Sequence, residues 1–196
     1  MAAETDGRRA RRERGRVAVL DAVVALLEGG SATPTAQEVA ARAGVSPASL
    51  FRYFDSIDEL QHDATDRFFE RNAARLEIPA LGVGLLGVRA ERYAGSRVAL
   101  CAAVEPVARL VRARAVGGPV LQDVRRRLAD QAATHFAREL GSATPTARAT
   151  ALAMIVTTTS FESWDQLRHD FDRTPLQVRR AWREAIVASL RAARRR

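Results

Sequence analysis

Read for the positions of its apolar residues, the chain is a succession of amphipathic helices separated by glycine and proline. From about Arg9 to Glu28 the apolar residues Val17, Leu20, Val24 and Leu27 fall three or four apart, which lays one stripe along a helix, and Gly29-Gly30 stops it. A second helix is expected from Thr35, whose hydroxyl can cap it, with Glu38 completing a capping box and Val39, Ala40 and Ala43 facing inward. Gly44 ends that helix, because glycine reaches positive φ without a Cβ clash, and Val45 should be buried beneath the turn. Ser46 then caps a third helix with Pro47 at its first position, where a missing N–H is harmless. Leu50 and Phe54, four apart, point inward from it and leave Ala48, Ser49, Arg52 and Tyr53 outward. Ser56 caps a fourth helix, expected over 57–76, with Ile57, Leu60, Ala64 and Phe68 along one side.

The second half continues in the same manner. Pro79 to Gly87, PALGVGLLG, interrupts the pattern, and helix resumes near Val88 toward Val104, where Pro106 predicts a kink or a new start. After Gly117-Gly118-Pro119 the residues Val120, Val124, Leu128, Ala132, Phe136 and Leu140 keep period four, which predicts one long helix up to Gly141. Thr144-Pro145 begins the next, whose ALAMIV run at 151–156 is apolar all round and should be buried on both sides. Thr174-Pro175-Leu176-Gln177 caps a last helix with the inner stripe Val178, Trp182, Ala185, Ile186 and Ser189, ending in Arg194-Arg195-Arg196. No stretch alternates with period two for long, so an all-α fold is expected.

Two short capped helices across a glycine turn are the arrangement that docks on duplex DNA as a helix-turn-helix. The expected DNA-facing set is Thr35, Ser46 and Pro47 at the helix starts with Ala48, Ser49, Phe51, Arg52 and Tyr53 along the third helix. The run AGVSPASLFRYFDSIDEL resembles the TetR type of bacterial one-component regulators, specifically over roughly residues 10–65 and only in length and helix order beyond. The resemblance implies an all-helical homodimer that binds a palindromic operator and releases it when a small molecule enters its C-terminal domain. On that basis residues 1–54 form a three-helix DNA-binding domain, and 55–196 a helical ligand-binding and dimerisation domain with 55–76 as the bridge. Two departures stand out: Ala48 where the family commonly has glycine, and Ile57 where it commonly has a phosphate-contacting lysine.

Charge changes this picture only locally. The net charge is +8, yet residues 1–60 hold 8 Arg against 9 acids while 61–196 hold 23 against 14, so the excess lies away from the helix-turn-helix. What bears on DNA is a cluster near the start, Arg8, Arg9, Arg11, Arg12, Arg14 and Arg16 beside the single acid Glu13. It predicts an arm, disordered over 1–7, whose Arg8, Arg9, Arg11 and Arg12 reach phosphates or a minor groove. The chain has no lysine at all, so the choice of arginine over lysine carries no functional weight. One cysteine, Cys101, cannot form an internal disulfide, and neither a leader sequence nor a bilayer-length apolar run is visible, so a cytoplasmic home without membrane contact is expected.

Read with the resemblance, the last two helices, near 145–170 and 174–192, pair with their copies across a two-fold axis. Their apolar surplus supports this independently, with Phe161, Trp164, Val178, Trp182 and Ile186 as expected interface residues. A mostly apolar effector pocket is expected among Tyr93, Cys101, His135, Phe136, Thr157, Thr158 and Glu162. Catalysis finds little support: His62, His135 and His169 lack metal-ligand spacing, no glycine loop cradles a phosphate, and neither cofactor nor metal is expected. A helical protein-interaction adaptor, the alternative, accounts for the second half and leaves the helix-turn-helix unexplained.

Overall fold

The computed structural model describes residues 2–31, 34–112 and 119–195, without the side chains of 2–6, 8, 106, 107, 109–112 and 119–121. Among the described residues there are helices and no strand: α1 Ala2–Glu28, α2 Ala36–Ala43, α3 Pro47–Tyr53, α4 Ile57–Arg71, a 3-10 turn Ala73–Leu76, α5 Leu86–Arg112, α6 Pro119–His135, α7 Ala137–Leu140, α8 Pro145–Thr158, α9 Phe161–Asp165 and α10 Pro175–Ala193. None of them is long and apolar enough to cross a membrane. The chain forms two compact units, one holding residues up to Asn72 with the end of α5 from Val104, the other holding 73–103 with the chain from Pro119 onward.

In the first unit α1 is the spine against which α2, α3 and α4 pack. Its buried face is Val19, Leu20, Val23, Val24 and Leu27, and Val39, Ala40, Leu50, Phe54, Ala64 and Phe68 close on it. Burial of such side chains contributes roughly 1.5–3 kcal/mol each. Ion pairs fix the angle between α1 and α4: Arg16 bonds Glu59 (2.7 Å) and Asp63, and Asp21 bonds Arg67 (2.8 Å). The helix begins at Ala2, so the segment expected to be a disordered arm is instead the first turns of α1. Its alanines and arginines are strong helix formers with no proline among them, and a downstream anchored helix propagates into them cheaply.

In the second unit α8 and α10 pack side by side, with α6 against α8 and α7 against α10. The core gathers Ala90, Tyr93, Ala94 and Cys101 from α5, Ala132 and Phe136, Ala147, Ala151 and Ile155 from α8, and Val178, Trp182, Ile186 and Leu190 from α10. Three expectations differ here. The helix from Pro119 does not run unbroken to Leu140. It stops at His135 and restarts after Phe136, because the His135 carbonyl accepts from the Arg89 guanidinium while the Glu139 N–H turns to the Phe136 carbonyl at 3.1 Å. Helix α5 spans Pro106 as one element, since a proline removes only one of the many bonds of so long a helix. Finally α8 buries one face alone, Ala147, Ala151 and Ile155, while Met154 is 53% exposed.

Candidate nucleic-acid interface

The geometry of α2, the turn and α3 follows from three local caps. The Thr35 hydroxyl accepts from the Glu38 N–H (3.2 Å) and the Glu38 carboxylate accepts from the Thr35 N–H (2.8 Å), a complete capping box that holds Glu38 below its ordinary pKa through the backbone bond and then the hydroxyl. Gly44 takes φ 68°, and the Val45 N–H reaches back to the Ala40 carbonyl at 3.0 Å. The Ser46 hydroxyl accepts from the Ser49 N–H at 3.1 Å, with Pro47 in the first turn. Val45 itself is only half-buried, because the Gly44 turn lies on the surface rather than between the helices.

With Leu50 and Phe54 buried as anchors, α3 presents a surface of Ala48, Phe51 and Arg52, all exposed, flanked by half-buried Ser49 and Tyr53. Phe51 is 60% exposed and so is not a core residue of this unit. The Ser49 hydroxyl bonds both Ser46 (3.0 Å) and the Arg52 guanidinium (3.2 Å), so the polar groups of this face are pre-ordered in a chain. Thr35, Ser46 and Pro47 are exposed at the helix starts, where free N–H groups favour anions.

Next to this face lies the start of α1. Arg9, Arg11, Arg12 and Arg14 are exposed, and Arg12 reaches the Arg52 carbonyl at 3.4 Å. Arg8 has its side chain outside the described residues. Arg16 is not a free arm residue. Its guanidinium donates to the Tyr53 carbonyl (2.9 Å), Glu59 and Asp63, and stacks 4.6 Å from the Phe54 ring centroid, so it ties the end of α3 to α1 and α4. Glu59 in turn accepts from the Asp55 N–H (2.6 Å), and its pKa lies below the ordinary value, chiefly through Arg16. Sequence reasoning passed over Gly15, which the Tyr53 ring covers so closely that a Cβ would stand 2.5 Å from Cζ. The available signal was a lone glycine inside a helical pattern. Ile57, expected on an inward stripe, is 53% exposed, because the first residue of α4 stands beyond the point where α1 covers it.

Of the residues expected to line an effector pocket, four lie in the packed core of the second unit. Tyr93, Cys101, His135 and Phe136 are at most 2% exposed and pack on one another, with Tyr93 and His135 ring centroids 5.4 and 5.0 Å from Phe136. His135 is a structural pin: Nδ1 accepts from the Gly82 N–H and Nε2 lies 3.0 Å from the Arg89 carbonyl, which fixes the neutral tautomer with the proton on Nε2. Burial pushes its pKa down, and the neighbouring Arg89 charge adds to this. Thr157 and Glu162 are exposed, and Glu162 pairs with Arg125 at 3.2 Å. A cleft of about 420 Å³ lies instead on the outer side of α6, lined by Glu77, Asp123, Arg127, Asp130, Gln131 and Thr134 among others. The residues expected as interface anchors also lie inward. Trp164, Val178, Trp182 and Ile186 are at most 1% exposed within one subunit, the indoles 6.4 Å apart, so they form its core and have no surface to offer a partner; Phe161 is half-buried. Among the described residues no group of three or more acidic, histidine or cysteine side chains is placed to hold a metal.

Residues 19–64, from the second half of α1 into the middle of α4, match the family model of bacterial regulatory proteins of the tetR family. No curated protein matches the chain. Among solved structures, a tetR-family transcriptional regulator from Streptomyces coelicolor superposes with a TM-score of 0.66 at 21% identity, covering 92% of this chain and 80% of the other. A transcriptional regulator from Rhodococcus sp. Rha1 does so with a TM-score of 0.61 at 23% identity, covering 93% and 97%. The fold is therefore that of these two regulators along nearly the whole chain, and residues 19–64 are similar in sequence to the tetR-family model as well.

Proposed function

We propose that this chain, with its tetR-type helix-turn-helix, is a sequence-specific DNA-binding transcriptional regulator, a repressor that leaves a palindromic operator when a small molecule binds its second unit. The observation that carries the reading is the exposed face Ala48, Phe51 and Arg52 on a helix capped by Ser46, with the exposed arginines of α1 beside it. Such a helix fits the major groove. Ala48 and Phe51 offer apolar contact to thymine methyls, Arg52 reads a base edge or a phosphate, and Arg9, Arg11 and Arg12 neutralise backbone charge. Selection from random duplexes at low salt tests it: an inverted-repeat motif is expected, and enrichment of none refutes the reading.

A two-fold operator requires a two-fold protein. With the tryptophans occupied in the core, the surface we assign to the partner copy is the outer side of α8 and α10, where Ala149, Ala153 and Met154 and then Ala181, Ala188 and Ala192 are exposed. Small side chains let helices from two subunits approach closely and bury apolar area without large anchors. Light scattering of the chain at micromolar concentration should give a dimer, and Ala188→Glu should shift it toward monomer. A wild-type chain that stays monomeric counts against both the interface and the inverted repeat.

A further inference from the structure

Helix α5 carries two arginines that are buried within the second unit, eight residues apart, and they are treated differently. Arg89, 1% exposed, donates to the Gly84 carbonyl (3.1 Å) and the His135 carbonyl and is neutralised by Glu139. Arg97, 7% exposed, has no carboxylate partner among the described residues. Its Nε and Nη2 both reach one neutral acceptor, the Thr159 carbonyl, at 3.3 and 3.1 Å, and Nη1 has no partner among the described residues at all. A guanidinium cannot shed its proton to escape this, and a buried cation without a counter-ion is among the more costly things a fold can hold.

The surroundings of Arg97 are polar on one side and apolar on the other. Tyr93 and Cys101 stand one turn before and after it on the same buried face of α5. The Thr159 hydroxyl donates to the Ile155 carbonyl at 2.8 Å, and burial holds Tyr93 above its ordinary pKa. Next along the two backbones come the partly buried apolar residues Val98, Val156 and Phe161, which pack on the core. Nη1 is thus a buried charged donor without a partner among the described residues, and the apolar residues next along the chain are only partly buried.

We propose that Arg97 is the anchor of an anionic ligand, an organic monocarboxylate with an apolar body, whose carboxylate pairs with Nη1 while its body lies against Val98, Val156 and Phe161. A carboxylate suits the planar donor fork, and a single negative charge matches the single uncompensated positive one. The ligand makes room by turning the half-buried Phe161 aside, since the fully buried tryptophans cannot move as readily. This inference rests on the reading of the second unit as an effector-binding domain and gives that effector a chemical class.

The test is direct binding to the full chain, without DNA, of octanoate and 1-naphthoate against 1-octanol and 1-naphthamide, followed by calorimetry and thermal shift. Wild type is expected to bind the acids at least about tenfold more tightly than their neutral partners, the range of a charge-assisted pair against a neutral contact. Arg97→Met should abolish that preference, and Arg97→Lys, which keeps the charge, should retain it. Should Arg97→Met fail to fold, the Arg97→Lys comparison and the chloride dependence of octanoate binding to wild type decide alone. Equal binding of acid and alcohol by wild type, no binding of either acid, or an acid preference that survives Arg97→Met overturns the proposal. Because DNA is absent, a chain that prefers carboxylates and selects no operator sinks the regulator reading alone. A chain that selects an operator and ignores carboxylates sinks this inference alone.

Discussion

Gly15 lies in the middle of α1, where alanine would ordinarily favour the helix by about 1 kcal/mol. A Cβ there would meet the Tyr53 ring, 2.5 Å from Cζ and Oη and 2.9 Å from Cε2. For Gly15→Ala the ring end must retreat by roughly 1 Å to regain van der Waals contact. On a lever the length of a tyrosine that is a rotation of about 10°, well inside the ~30° at which rotamer strain reaches 0.5–1.5 kcal/mol. The variant should therefore be as stable as wild type or up to about 1 kcal/mol more stable, measured by urea unfolding. DNA binding should respond in the opposite sense. We propose that the Tyr53 hydroxyl, at the end of the DNA-facing helix, donates to a phosphate; displaced by ~1 Å from a partner at ~2.8 Å it loses that hydrogen bond, and a bond to a charged group is worth about 1.5–3 kcal/mol, so affinity for the selected operator should fall roughly ten- to hundredfold. Fluorescence anisotropy at fixed salt reads this directly. Tyr53→Phe should show a similar loss, and Gly15→Ala combined with it should lose little more, since both act through one hydroxyl. A Gly15→Ala chain with the full helix gain and unchanged affinity would mean that Tyr53 does not touch DNA, and additive losses would mean that the two positions act separately.

Ile57→Lys places a cation on an exposed position at the start of α4, so it should strengthen binding to all duplexes and steepen the salt slope by nearly one; an unchanged slope would place position 57 away from the backbone. Glu139→Gln leaves the Arg89 cation buried without a counter-ion, at a cost of about 3–5 kcal/mol in unfolding free energy, most of which Arg89→Met with Glu139→Met should recover. A loss under about 1 kcal/mol would show that the pair is not the constraint it looks. His135 has its pKa pushed below the ordinary 6.5 by burial, so the unfolded chain binds its proton first and the stability that the neutral ring contributes is present above about pH 6.5 and declines as pH falls below it. His135→Gln, which keeps one donor and one acceptor, should flatten that decline relative to wild type, and parallel stability curves would refute the assignment.

The first unit was legible because its signals are local. Thr35 caps Glu38, Ser46 caps Ser49 and Ser56 caps Glu59, each across three residues, and Gly44 needs only its own backbone. What the sequence withheld there were contacts across 37 to 47 positions: Arg16 reads as one more arginine of a basic arm until the fold brings Tyr53, Glu59 and Asp63 to it. Ile57 failed for a related reason. A stripe extrapolated to the first residue of a helix assumes that a neighbour covers that residue, and periodicity does not say where the neighbour ends.

The second unit was legible in its elements and misread in its surfaces, and the cause is a matter of volume. An apolar run such as ALAMIV signals burial without saying on which side, and the largest residues nearby, Trp164 and Trp182, invite assignment to an interface. Yet α8 turns Ala147 and Ala151 toward the interior, and side chains that small leave room between α8 and α10 for indoles. A subunit whose packed helices carry alanine on one side must fill the layer with something large from the other, because interiors are packed to crystal density. Trp182, between Val178 and Ile186 on α10, is that filler, and Trp164 packs beside it. The alanines left over, at 149, 153, 181, 188 and 192, are the ones facing outward. Large residues opposite small ones thus belong to the core of one chain, and small ones without a large counterpart are where a second chain can come close.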